Sequence, residues 1–173
     1  MALAIPVDIL WAGGTAAGLV ALTAGLAHAA RLAGWQGWRT RAEPIAWILH
    51  AAYLWLPVGL LLKAGWLLGG WSWTAHWLHA LGAGAAATMI LAVMTRAALG
   101  HTGRALRVAT PIAVAYLLLL AAVLVRVFGP PWLPVAYTST IILAGSLWLA
   151  AFLIYSWIYT PILLRARADG KPG

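Results

Sequence analysis

The sequence predicts an all-α membrane protein, a single domain over residues 1–173 that forms a bundle of five transmembrane helices. Three observations lead to this fold. Hydrophobic residues make up 64% of the chain and charged residues only 8%, whereas about a quarter of a soluble domain is charged. Each of five apolar segments exceeds the roughly 20 residues that span hydrocarbon. The connections between them are short, so successive helices should run antiparallel.

In chain order, the predicted helices cover residues 5–32, 45–69, 75–99, 106–128 and 132–160. Helix-breaking residues mark the connections: Gly34 and Gly37, Gly69 and Gly70, Gly100 and Gly103, and then Gly129, Pro130 and Pro131. Small residues recur at four-residue intervals in the first helix (Gly14, Gly18) and in the third (Ala80, Gly84, Thr88). This spacing predicts close approach of neighbouring helices, although a cofactor slot would use the same residues.

The distribution of basic residues predicts the orientation, because basic connections stay cytoplasmic. Nine of them fall on one side: Arg31, Arg39, Arg41, Arg96, Arg104, Arg107, Arg165, Arg167 and Lys171. We therefore expect the N-terminus outside and the C-terminus in the cytoplasm. Lys63 and Arg126 fall on the other side, near helix ends from which a long side chain can extend to the interface.

Composition also limits which partners, metal ligands and reactions we expect. The net charge is +8, but the basic residues form no continuous face, so we expect no nucleic-acid partner. With no cysteine, a transition metal would depend mainly on imidazoles. Hydrolysis and phosphoryl transfer lack the required nucleophile, acid pair or phosphate loop. Transport ranks last among the alternatives, because the spans hold few ionisable groups apart from histidine.

Five histidines are the candidate metal ligands. His76 and His79 lie three residues apart on one helix face at the outer side, where Asp8 could orient a ring or supply a third ligand. Favourable placement at a helix N-terminus would also explain Asp8. His28, His50 and His101 lie on the inner side. The helix from His79 inward is about 25 Å long, at about 1.5 Å per residue, so the two groups cannot share one metal. For each ring the alternative is a hydrogen-bonded packing role.

Several longer pieces of sequence carry a family resemblance. The first runs from His79-Ala80-Leu81 through Gly84-Ala85, Met89 and Leu91-Ala92-Val93-Met94-Thr95-Arg96 to Leu99-Gly100-His101-Thr102-Gly103-Arg104. The others are Arg41-Ala42-Glu43-Pro44 with Leu49-His50 and Tyr53, and Tyr159-Thr160-Pro161 with Arg165 and Asp169-Gly170-Lys171-Pro172-Gly173. Together they resemble the C-terminal part of the NnrS family, whose members are longer bacterial membrane proteins.

The resemblance implies a haem-containing and copper-containing protein of the bacterial inner membrane that acts in the nitric oxide response and denitrification. It implies His50, His79 and His101 as ligands, with His76 and His28 outside the matched pattern. Glu43 becomes a second carboxylate that could orient a ligand.

A working hypothesis places haem between the first three helices. Arg96, Arg104 and Arg107 could then neutralise its propionates, unless they only set the orientation. An electron carrier is a possible partner. A second copy or another chain would complete the bundle. The main alternative is a metal-free scaffold that assembles a redox complex.

Overall fold

A computed structural model describes residues 13–133 and 136–170. Asp8 and Lys171 lie outside these ranges. Within them, five helices are long and apolar enough to cross a membrane, which confirms the predicted fold class of a multi-pass helical protein. They are α1 (Thr15–Gly34), α2 (Pro44–Gly69), α3 (Ser72–His101), α4 (Thr110–Trp132) and α5 (Tyr137–Leu164). A short 3₁₀ helix, Gly37–Thr40, lies in the connection from α1 to α2.

Successive helices pack antiparallel, and small residues mark their closest approaches. Gly18 of α1 faces Leu68 of α2, and Gly25, two turns further on, faces Leu61. A methyl group at Gly18 would lie 2.6 Å from the Leu68 side chain, so this position admits only glycine without rearrangement. The close helix contact predicted from the small-residue spacing of α1 is therefore confirmed.

The third span is irregular where it was predicted to be one α-helix. It opens with a 3₁₀ turn, Ser72–Thr74, and a single α turn, Trp77–His79. It continues as a π-helix, Ala80–Ala87, and becomes a regular α-helix from Thr88 to His101. Glycines favour this departure, because they have low α-helix propensity. π-Helices are rare in proteins, and those that do occur are often found at functional sites.

The ends of the last two helices differ from the predicted boundaries. The α4 helix begins at Thr110, not at residue 106, because Pro111 occupies its first turn, where the missing N–H costs nothing. It continues through Pro130 and Pro131 to Trp132. The α5 helix accordingly begins at Tyr137, not at residue 132, and extends past residue 160 to Leu164.

Two groups of buried side chains form the interior. The larger one joins α2, α3, α4 and α5 around Ile48, Leu91, Tyr116 and Tyr159, and the smaller one surrounds Trp55. Large apolar side chains also cover the outer surface, and Trp157 is 83% exposed. Such a surface is suited to lipid, since in a bilayer every backbone polar group is satisfied within the helix and apolar side chains face the hydrocarbon.

Candidate functional site

The His50 ring has one nitrogen fixed and one nitrogen available. It lies in the second turn of α2, where Nδ1 is 3.1 Å from the Ala46 carbonyl oxygen. A carbonyl only accepts hydrogen bonds, so Nδ1 carries the proton and Nε2 carries the lone pair. Among the described residues, Nε2 has no hydrogen-bond partner. This tautomer presents Nε2 as a potential ligand.

An apolar pocket of about 480 Å³ adjoins this ring, between α1, α2 and the 3₁₀ connection. Apart from His50, its lining includes Ala29, Leu32, Trp38 and Leu61. Gly37 also lines it, and a methyl group there would lie 2.8 Å from Cδ2 of His50. Glycine at this position therefore lets the connection pass directly over the imidazole.

An aromatic cluster links His50 to His28 across the α1–α2 interface. Nδ1 of His28 is 2.6 Å from the Tyr53 hydroxyl. Trp35 packs against Tyr53 at 4.5 Å between ring centroids, and against the His50 ring edge-on at 6.0 Å. His28 thus has a hydrogen-bonding partner, and whether it also acts as a ligand stays a prediction. The contacts of this cluster were not predicted from the sequence.

The two histidines of α3 lie close to Arg126 of α4. The His76 and His79 rings are stacked with centroids 5.7 Å apart, as their three-residue spacing predicted. Nε2 of His79 is 2.7 Å from an η nitrogen of Arg126. Because a guanidinium only donates, this Nε2 accepts and Nδ1 carries the proton. Arg126 therefore turns to a neighbouring helix, where we expected it to extend to the interface.

His101 and the three arginines proposed for propionates are only partly brought together. Arg96 and His101 line one pocket of about 420 Å³ with Leu106. Arg104 instead donates to the Thr102 carbonyl at 3.3 Å, and Arg107 is exposed. None of these residues lines the pocket beside His50.

Glu43 occupies the N-cap position of α2 without a side-chain capping hydrogen bond. Its carboxylate has no described contact with a histidine, so an orienting role for Glu43 stays a prediction.

The segment after α5 folds back on the loop after α3. Arg167 donates both to the carbonyl of His101 and, at 2.6 and 2.9 Å, to the two carboxylate oxygens of Asp169. The hydrogen bonds to the Asp169 carboxylate, together with its negative charge, raise the pKa of the Arg167 guanidinium above its ordinary value. Gly103 has a φ of +68°, and a methyl group there would lie 2.5 Å from the Asp169 carboxylate. Two pieces of the sequence resemblance therefore meet in space.

In the part of the chain that the structure describes, no three side chains of histidine, aspartate or glutamate come together as a metal-binding group. His50 and His79 line different cavities. The structure thus presents separate sites with one or two imidazoles each.

Comparison with known proteins decides the family. The NnrS protein family model matches residues 1–167. The chain belongs to the NnrS family. No curated protein and no solved structure gives a match.

The NnrS match extends the sequence resemblance, which began at the second helix, to include the first helix. Both helices that flank the His50 pocket therefore lie within the family match. The π-helix and the loop from His101 to Arg104 lie within the longest piece of the resemblance.

Proposed function

We propose that this chain is an inner-membrane protein of the bacterial nitric oxide response and that it binds haem through Nε2 of His50. Membership of the NnrS family is consistent with the nitric oxide response. The observation that carries the haem assignment is the His50 ring, whose Nδ1–H is held by the Ala46 carbonyl and whose Nε2 is free of partners among the described residues.

The residues around His50 fit such a group. Histidines that bind metals usually donate their second ring N–H to a carbonyl or carboxylate, which fixes the ring and increases the basicity of the ligating nitrogen. The pocket is also almost entirely apolar, with Trp38 and Leu54 among its walls. Haem bound there would supply an iron centre for small-ligand binding or electron transfer. The chain would hold the His50 ring in place as the iron ligand and exclude water from the pocket.

The other histidines support a role as iron ligands less well. The Tyr53 hydroxyl can donate to Nδ1 of His28 or accept from it, so this bond does not fix which ring nitrogen carries the lone pair. Arg126 occupies Nε2 of His79. The Arg126 cation would also repel a copper ion at His76 and His79. We therefore do not assign copper to this pair, and His101 stays a second candidate.

Optical spectra and iron analysis of the purified protein test the proposal. Wild type should show a Soret band and bound iron. His50→Ala should lose most of both, whereas His79→Ala should retain them, and the helical circular dichroism of each variant reports on folding. Gly37→Ala, which forces the connection against the His50 ring, should perturb the Soret band. A folded His50→Ala variant with full haem content would refute the assignment.

The scaffold is the second candidate function. His28 and His79 both have the side-chain partners expected of packing histidines, which favours it for those two positions. A folded wild-type protein that is colourless and iron-free after expression with excess haem would support the scaffold and contradict haem binding.

A further inference from the structure

A second site lies at the opposite end of the bundle from His50. A cavity of about 240 Å³ opens between α3, α4 and α5, lined by His79, Arg126 and Trp148 together with the small residues Ala83, Ala122 and Gly145. The π-helix that starts at Ala80 supplies one of its walls.

Arg126 gives this cavity its chemistry. One η nitrogen is bonded to His79. The other, Nη1, is completely buried and has no hydrogen-bond partner within residues 13–133 and 136–170. Arg126 lies six residues before the end of α4, about 9 Å along the helix at about 1.5 Å per residue. A buried donor that carries a charge is costly unless an acceptor meets it, so we expect an acceptor from outside the described residues at this guanidinium.

The described residues place no carboxylate near this guanidinium. His79 does not offset the charge of Arg126, because it is a neutral ring that accepts a hydrogen bond from the guanidinium. The two acids among the described residues, Glu43 and Asp169, lie at the other end of the bundle, before α2 and after α5. No acid of the described residues therefore compensates the positive charge at this cavity, and within apolar walls electrostatic attraction is stronger than in water.

We propose that this cavity binds a small solute anion, a monocarboxylate or an oxyanion of similar size, through the guanidinium group of Arg126. His79 is the positioning residue, because its bond to the other η nitrogen holds the guanidinium beside the cavity. The volume admits a small anion, being smaller than the roughly 300 Å³ at which drug-sized sites begin. This site is independent of the proposed haem site, because no residue lines both cavities.

Iodide quenching of Trp148 fluorescence tests the proposal on the full chain in maltoside micelles. Iodide is the probe, and the Trp148 contribution is the difference between wild type and Trp148→Phe. We expect this contribution to be quenched with saturation at low iodide, at constant ionic strength maintained with lactobionate, a disaccharide acid larger than the cavity. Formate should compete and restore the emission. The neutral quencher acrylamide should act equally on all variants.

Substitutions identify the group responsible. Arg126→Gln should abolish the saturable quenching, whereas Arg107→Gln, the same charge change at an exposed position, should leave it unchanged. His79→Ala should weaken iodide binding at least tenfold. His79→Gln, whose amide oxygen can still accept from Arg126, should restore most of it. Saturable quenching that persists in Arg126→Gln would overturn the proposal.

The same assay distinguishes a solute anion from two other acceptors for Arg126, the Asp8 carboxylate and a lipid phosphate. If the carboxylate of Asp8 occupies Nη1, wild type will bind no iodide and Asp8→Asn will, which overturns binding of a solute. If added phosphatidylglycerol competes with iodide and formate does not, the ligand is a lipid phosphate, which also overturns it.

Discussion

A buried hydrogen bond joins Thr95 of α3 to Tyr116 of α4, and removing one partner should destabilise the protein more than removing the other. Both side chains are 0% exposed, and their oxygens are 2.6 Å apart. Thr95 has one hydroxyl proton, which it donates to the Ala92 carbonyl at 2.8 Å. Tyr116 is therefore the donor to Thr95, and this is the hydroxyl's one hydrogen bond within the described ranges.

Tyr116→Phe removes the donor and leaves Thr95 with its own donation intact. We expect a loss of about 0.6 kcal/mol in the free energy of unfolding, typical of a hydrogen bond between helices in a membrane protein. Thr95→Val leaves the Tyr116 hydroxyl buried without an acceptor, which costs about 1–3 kcal/mol. The double variant removes both groups and should be more stable than Thr95→Val alone.

Unfolding by dodecyl sulfate in mixed micelles, followed by far-ultraviolet circular dichroism, measures these free energies. The three variants form a double-mutant cycle with wild type. Equal losses in the two single variants, or a double variant that loses their sum, would refute the assigned direction of donation.

Two further predictions concern glycines. Gly84→Ala should destabilise the fold by about 1–3 kcal/mol, because its methyl group would lie 2.6 Å from the Trp55 ring. Gly82→Ala, in the same π-helix but with nothing within 4 Å, is its control, and dodecyl sulfate unfolding should show it unchanged or stabilised. Gly103→Ala should release the segment after α5 and speed its cleavage by trypsin, since a left-handed backbone costs a non-glycine residue about 1–2 kcal/mol and Asp169 blocks the added methyl. Asp169→Asn, which keeps that backbone, should release the segment less, and equal cleavage of Gly103→Ala and wild type would contradict this reasoning.

The five spans could be predicted because each is an apolar run bounded by residues with a definite effect on the backbone. The second shows this best. Pro44 starts α2, where a proline N–H is not needed, and Gly70 ends it with a φ of +63°. The predicted helix, residues 45–69, differs from the observed one by a single residue.

The boundaries of α4 and α5 could not be predicted from proline alone. Pro130 and Pro131 lack the N–H that an α-helix uses, but their fixed φ is compatible with helical geometry. In the last turn of α4 they continue the helix, and Leu133 N–H bonds to the Gly129 carbonyl beyond them at 2.8 Å. Pro161 has the same role near the end of α5. Whether a proline ends a helix depends on the packing that follows it, which is not local information.

The sequence identified the candidate histidines, whereas the hydrogen-bond partner of each ring is known only from the structure. His50 and Ala46 are one turn apart, so their hydrogen bond follows from helical geometry. The Arg126 partner of His79 is 47 residues away in sequence. Their contact depends on the crossing of α3 and α4 beside a π-helix, where the 3.6-residue period used to assign helix faces does not hold.

The roles proposed for His50 and His79 rest on the hydrogen-bond partner of each ring rather than on its depth in the bundle. A carbonyl fixes Nδ1 of His50 and leaves a lone pair exposed to an apolar pocket, which suits a metal. A guanidinium takes the lone pair of His79 and leaves a positive charge in a small cavity, which suits an anion. If both proposals hold, one residue type serves ligands of opposite charge at the two ends of this bundle. His50→Ala and Arg126→Gln should separate the two properties, since each should abolish one and leave the other intact.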